Sequence, residues 1–345
     1  MQPPSDTPSS DRPTPDVGRI DFGTAAPVAG ALVGVRWIHG VPSAKQRAGA
    51  PRLQVHRHDE HTVIIRQSKT TDYEAPFVFL LFGNDRALLL DTGATADPEL
   101  FPLRSCVDGL VEEWLAAHPR ERYGLVVAHT HGHGDHVAGD PQFADRADTT
   151  VVGRDEQAVR AFFGFGADWP RTSVRFDLGG RELEVIGSPG HHPSAVTVYD
   201  PWTGILLTGD TVLPGRLYAP DFPAFLATLD RLVEFTGTRP VTHVLGCHVE
   251  LGSRPGAEYP IGASYQPDER APELTVAQLV AVRDAARAVA GRRGVHRYDD
   301  FVLYNEPRRL DMLRLQARGL LHKGWSTLTG GLRRAEGHGA PWASR

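Results

Sequence analysis

The sequence predicts a layered α/β protein, with two groups of short strands interleaved with amphipathic helices. Three observations carry that prediction. Apolar runs of strand length recur along the 345 residues, and longer runs with helical spacing separate them. Tight-turn signals, Asn84-Asp85 and Gly179-Gly180, join two pairs of these runs into hairpins. The residue types that bind metals fall just after strand-like runs, where loops carry chemistry on a rigid scaffold.

Taken in order, strands are expected at Ala31 to Ile38, Thr62 to Arg66, Phe77 to Phe82 and Arg86 to Asp91. A helix follows from Leu100 to Ala117 and stops before Pro119. Tyr123 to Ala128 reads as a buried strand and Asp155 to Phe163 as a helix. Val174 to Leu178, Arg181 to Ile186, Ala195 to Tyr199 and Gly204 to Leu207 read as a second group of strands. Phe222 to Phe235 has helical spacing with Asp221 as N-cap, Val241 to Leu245 is a strand, and Thr275 caps a helix to Ala290.

Composition narrows the function. The net charge of −5 disfavours a nucleic-acid ligand, which needs a clustered basic face. Two cysteines, Cys106 and Cys247, cannot build a disulfide framework, so a cytoplasmic setting is expected. No apolar run reaches the ~18–20 residues that span a bilayer. Residues 1–18 hold five prolines and no apolar core, which reads as a disordered leader ahead of a catalytic body over 19–305. Residues 306–345 read as a basic extension, because Pro307 to Arg345 carries eight Lys/Arg against two Asp/Glu. Leu310, Leu313, Leu320 and Leu321 are expected to form an apolar stripe there, docking on the acidic body or on a second subunit in a homodimer. A membrane-surface or RNA-binding tail is the alternative.

The most informative stretch is Thr130-His-Gly-His-Gly-Asp-His-Val-Ala-Gly139. It crowds His131, His133, Asp135 and His136 into six residues, with glycines expected to let the backbone bend and the side chains converge. Imidazoles with a carboxylate suit zinc or iron(II). Four further stations follow the same order as a known family's motifs. Asp91-Thr92-Gly93 follows the apolar run Ala87 to Leu90, and Pro189-Gly190-His191-His192-Pro193 comes later. Leu207-Thr208-Gly209-Asp210-Thr211 and Gly246-Cys247-His248 complete the series. Over roughly residues 30–305 the chain resembles the metallo-β-lactamase-fold hydrolases, and its pattern is most similar to the glyoxalase II-like and lactonase-like members.

That resemblance implies an αββα four-layer sandwich, two mixed sheets flanked by helices. It implies one metal on His131, His133 and His191 and a second on Asp135, His136 and His248, with Asp210 bridging both. Two zinc ions per chain are implied, with iron or manganese as alternatives, and Asp135 and Asp210 become the candidate catalytic carboxylates. Asp91 would orient the ligand loop from behind. A hydroxide shared by the metals would attack a carbonyl carbon or a phosphorus. Asp210 stands where the β-lactamases of this fold place cysteine or serine, and His133 where the flavin-partnered di-iron members carry glutamate. Both departures leave ester, thioester and lactone hydrolases as the expected class. The alternatives are a mononuclear iron enzyme resembling the persulfide dioxygenases, and a phosphodiesterase or nuclease.

Residues for a small-molecule substrate are less clearly marked. Arg216 and Tyr218 follow Asp210 and could meet a carboxylate or a carbonyl, although a solvated arginine is the plainer reading. Val249 to Leu274 holds four prolines with Tyr259 and Tyr265, which suits a lid or pocket wall. Lys69, Tyr73 and Glu74 could approach from the N-terminal side. His129 and His192 are expected to support ligands or face solvent, and Cys247 to be a small buried hydrophobe.

Overall fold

We describe the chain from a computed structural model, which covers residues 18–321 apart from 24, 25, 29 and 31. The leader and the end of the basic extension, residues 322–345, lie outside the described residues.

After the one-turn helix α1 (Ala44–Arg47), the chain lays down β1 (Leu53–Asp59), β2 (Thr62–Gln67), β3 (Phe77–Phe82) and β4 (Arg86–Leu90). Helix α2 (Leu103–Ala117) crosses to β5 (Gly124–Ala128), and α3 (Gly134–Val137) precedes β6 (Thr149–Val151). These six strands form one sheet in sequence order, antiparallel from β1 to β4 and parallel from β4 to β6. Helix α4 (Glu156–Phe163) leads to β7 (Ser173–Asp177), β8 (Glu182–Gly187), β9 (Val196–Asp200) and β10 (Ile205–Gly209). Then come β11 (Arg216–Ala219), α5 (Phe222–Thr236), β12 (His243–Gly246), β13 (Glu273–Leu274), α6 (Val276–Ala288), β14 (Gly294–Arg297) and β15 (Val302–Asn305). The second sheet runs β13-β12-β10-β9-β8-β7, and a small third sheet runs β11-β15-β14.

The layers follow from which faces are apolar. Ile64, Phe79, Leu88 and Val126 of the first sheet meet Val185, Val198, Leu207 and Leu245 of the second in one buried cluster between the sheets. The opposite faces of β2 to β5, including Val63, Leu80 and Leu89, are covered by Val107, Leu110 and Trp114 of α2. Phe225, Leu229 and Leu232 of α5 and Leu279 and Val282 of α6 cover Leu206 and Val244 on the outside of the second sheet. Helix, sheet, sheet, helix is the αββα order. Two helix starts behave as their sequence indicates: Asp221 accepts from the Ala224 amide, and Thr275 with Gln278 forms a reciprocal capping box.

Several expectations need correction. Residues 32–39 form no strand, because their backbone is served by a side chain: Gln54 accepts from the Ile38 amide and donates to the Arg36 carbonyl. The edge strand is instead β1, whose polar Leu-Gln-Val-His-Arg-His-Asp run gives little apolar signal. β11, β14 and β15 form a sheet where no strands were expected. The chain is helical again over residues 309–321, on the near side of the extension. No helix among the described residues is long and apolar enough to cross a membrane.

A buried ion pair ties the two sheets at one end. Arg181 donates from Nε and Nη2 to Asp200, from Nη1 to the carbonyls of His61 and Phe82, and from Nη2 to the Thr62 hydroxyl. All five guanidinium donors are used, the condition under which a buried charge is tolerated.

Candidate metal centre

The proposed ligands gather at the other end of the sandwich, beyond the ends of β5, β8, β10 and β12. Asp91, one residue past β4, sits at φ 71° and is fully buried. One carboxylate oxygen accepts from the Thr130 amide at 2.7 Å. The other accepts from the Thr130 hydroxyl at 2.9 Å, His136 Nδ1 at 2.8 Å and Cys247 Sγ at 3.2 Å. This one side chain therefore fixes the first turn of the His-rich loop and one of its rings. The loop glycines act differently from expectation, since neither Gly132 nor Gly134 has a positive φ. Gly132 is needed for space, because a Cβ there would lie 2.7 Å from the Arg154 carbonyl oxygen, whereas Gly134 opens α3 with nothing near.

Two sets of side chains that could each hold a metal ion converge, His131 with His133 and His191, and Asp135 with His136, Asp210 and His248. His133 Nδ1 lies 2.9 Å from His131 Nε2 and 3.0 Å from His191 Nε2. His136 Nε2 lies 3.2 Å from His248 Nε2. Asp135 Oδ2 lies 3.3 Å from His248 Nε2 and 3.5 Å from His136 Nε2. Asp210 stands between the sets: Oδ1 is 3.5 Å from both His136 and His248, and Oδ2 is 3.8 Å from His191.

The outer nitrogens fix the tautomers. His191 Nδ1 faces the Tyr218 carbonyl at 2.9 Å, His248 Nδ1 the Glu74 carbonyl at 3.0 Å, and His136 Nδ1 the Asp91 carboxylate. Those oxygens only accept, so each Nδ1 carries a proton and each Nε2 is the nitrogen turned inward. Lone pairs facing one another at about 3 Å repel unless a cation lies between them. Zinc ligands at ~2.0–2.1 Å in a tetrahedron stand roughly 3.3 Å apart, the spacing seen here. Asp210 Oδ1 is moreover buried without a hydrogen-bond partner, an orphan that a cation would satisfy. The donor set fits two divalent metal ions.

Electrostatics divides the sets. Burial, reinforced by His136, holds His131 well below the usual histidine range, and burial with His191 brings His133 down to about 4. Burial would also lower His248, but Asp210 and Asp135 outweigh it and raise the ring to about 9, so a metal ion binding there would displace a proton from Nε2. Burial works against ionising Asp135 and Asp210, yet the neighbouring histidines hold both carboxyls far below the ordinary range.

A second cluster, Glu60, His61 and His118, lies away from this site. His61 Nδ1 accepts from Trp114 Nε1 at 3.1 Å, so its Nε2 keeps the proton and has no lone pair for a metal.

A pocket of about 340 Å³ opens onto the ligands, with Asp135, His133, His191, Asp210 and His248 in its floor. Glu74, Arg216, Tyr218 and Glu250 line its sides, and Leu213, Pro220, Ile261 and Met312 give an apolar wall. Arg216 is neither solvated nor free for a substrate. It is 4 % exposed, pairs with Glu250 at 2.5 Å and Glu258 at 2.6 Å, and donates to the Tyr259 carbonyl. Tyr259 and Tyr265 are not among the lining residues: the Tyr259 hydroxyl accepts from the Asp268 amide, and Tyr265 tilts against His39. Lys69 is buried, donating to the Tyr73 carbonyl at 3.2 Å. His129 bonds Asp140 at 2.8 Å, and His192 bonds Ser194 while its ring packs on His133. Cys247 is buried as expected and adds a thiol donor to Asp91. Glu250, Ile261 and Met312 went unremarked in the sequence, and only the position of Glu250 two residues after His248 could have flagged any of them.

Comparison with known proteins agrees with this geometry. Residues 72–240 match the family described as the metallo-beta-lactamase superfamily. A hydroxyacylglutathione hydrolase of Rhizobium meliloti is 31% identical over 41% of this chain and 53% of its own length. Another, of Anaeromyxobacter dehalogenans, is 27% identical over 64% of this chain and 80% of its own. The acyl-coenzyme A thioesterase MBLAC2 of Homo sapiens is 26% identical over 50% of this chain and 72% of its own. The match thus spans about half the length of the first of these relatives and more of the other two. Five motifs in order, their convergence on two sets of metal-binding side chains in an αββα sandwich, and the match over residues 72–240 lead to one conclusion: the chain has the metallo-beta-lactamase fold and is similar to that superfamily over this stretch.

Proposed function

We propose that the chain is a zinc-dependent hydrolase with two metal ions, and that its substrates are thioesters, with esters and lactones as slower relatives. The observation that carries this reading is the placement of Asp210, whose two oxygens face different histidine sets. His131, His133 and His191 would hold one ion, Asp135, His136 and His248 the other, and Asp210 both. When bound, such a pair lowers the pKa of water, polarises the scissile carbonyl and stabilises the charge that develops on its oxygen.

The chain's own residues do the rest. Asp91 holds His136 in one tautomer, and the Tyr218 and Glu74 carbonyls do the same for His191 and His248. Burial beside Glu250 pushes the Tyr218 phenol up, so it stays protonated on the pocket wall as an O–H donor for a substrate oxygen. Leu213, Pro220, Ile261 and Met312 exclude water from one side and suit an acyl chain. A thiol with an ordinary pKa of about 8.5 departs as thiolate without a proton donor, so a thioester demands less of this pocket than an alkyl ester. The names of the hydroxyacylglutathione hydrolases and the acyl-coenzyme A thioesterase support the same class. The two thiols, one half-buried and one buried, are unpaired, in keeping with a cytoplasmic setting.

The test is metal content by elemental mass spectrometry on protein expressed without added metal, followed by a thiol-release assay over acyl thioesters. About two zinc ions per chain with thiol release is the expected result. About one iron per chain with oxygen uptake would overturn it.

A further inference from the structure

Helix 309–321 has one face accounted for and one bare. Met312 and Leu315 pack on Leu251, Ile261, Val302 and Tyr304. Gly319 approaches Ile261 so closely that a Cβ there would lie 2.6 Å from its carbonyl oxygen. On the far side, Leu310, Leu313, Leu320 and Leu321 are 55, 59, 70 and 74% exposed. At about 100° per residue, these four leucines fall within an arc of roughly 100° that points away from the body. Arg309 borders the arc on one side, and Arg314 and Arg318 on the other, all three exposed, although Arg318 also lies 3.4 Å from the buried Glu258 carboxylate. The remaining large apolar side chains exposed among the described residues, Val33, Val55, Leu100 and Val151, are scattered through the sequence. Scattered ones are ordinary; four on one turn-spaced stripe mark a contact surface.

Charge selects the occupant. A second copy meeting this face symmetrically would set arginine rims against arginine rims, which is repulsive. An anionic bilayer matches both parts, with leucines at the acyl boundary and guanidinium groups reaching the lipid phosphates. We propose that helix 309–321 is a membrane-surface contact for anionic lipid. Since Met312 on the inner face lines the pocket, docking sets one pocket wall directly behind the lipid-bound helix. The proposal does not depend on the hydrolase reading, because association is measured without turnover.

The test is co-sedimentation of the full chain with vesicles of phosphatidylcholine alone or mixed with phosphatidylserine. Sedimentation with the mixed vesicles, weakened by salt, is expected. The double variant Leu313→Ser/Leu320→Ser should lower partitioning at least about tenfold while its thermal melt stays unchanged. Arg309→Gln/Arg314→Gln should cost about fivefold per charge at low salt. Three results overturn the proposal: no sedimentation of the parent chain, unchanged sedimentation of the leucine variant, or a dimer in light scattering that the leucine variant splits while vesicles recruit nothing.

Discussion

The floor and the wall of the pocket are built by different means. The floor comes from loops one to eight residues beyond strand ends, braced by buried hydrogen bonds such as those on Asp91. The apolar wall comes from segments far apart in the chain, with Leu213 and Pro220 flanking β11, Ile261 in the long loop after β12, and Met312 on the last helix. The floor is thus specified locally and held rigidly, while the wall depends on how late segments pack. Chemistry should be sensitive to the floor, and substrate choice to the wall.

The largest effect should follow from breaking the floor at its centre. Asp210→Asn is expected to lower kcat for thioester hydrolysis at least about a hundredfold and to reduce metal content, read together by thiol release and elemental mass spectrometry. One layer out, Asp91→Asn keeps the backbone conformation but loses the acceptor for His136, and metal affinity should fall about 10–100-fold in a chelator competition. At the wall, Met312→Ala should reduce kcat/KM for long-chain acyl thioesters about tenfold and leave a short acetyl substrate nearly unchanged. Equal loss on both substrates would erase the distinction between floor and wall.

The smallest effect on turnover, read instead from stability, concerns Lys69. Burial lowers its pKa from 10.5 to about 8, with Glu269 at 3.6 Å opposing the shift. Between those values the unfolded chain carries a proton that the folded chain has released, so stability should rise with pH across that window. The gain is on the order of 3 kcal/mol, and denaturant titrations should show its pH slope vanish in Lys69→Met.

The same division explains what was legible in the sequence. His131, His133, Asp135 and His136 announce themselves because ligands this close in sequence have little other use, and His191, Asp210 and His248 follow by their order. Strands buried on both faces, such as Phe77–Phe82, are legible as apolar runs. β1 is not, because Leu53 and Val55 are its only apolar residues and two of them give too short an alternation to read. β11 and β15 pair in parallel across more than eighty residues, which no local pattern encodes. Arg216 looked like a surface side chain because Glu250 and Glu258 reach it only through the fold. Met312 has no signature, since one methionine on an amphipathic helix says nothing of what lies beneath it.

Arg181 gives the far end of the sandwich its own fastening, with no ligand residue involved. Taking that arginine away would strand Asp200 in the interior at a cost of about 3–5 kcal/mol, independently of the proposed metal site. The architecture is therefore anchored at the end where nothing reacts. Mutation can explore the reactive end, loop by loop, against a frame whose integrity is secured elsewhere, and such a frame can change its chemistry without first losing its shape.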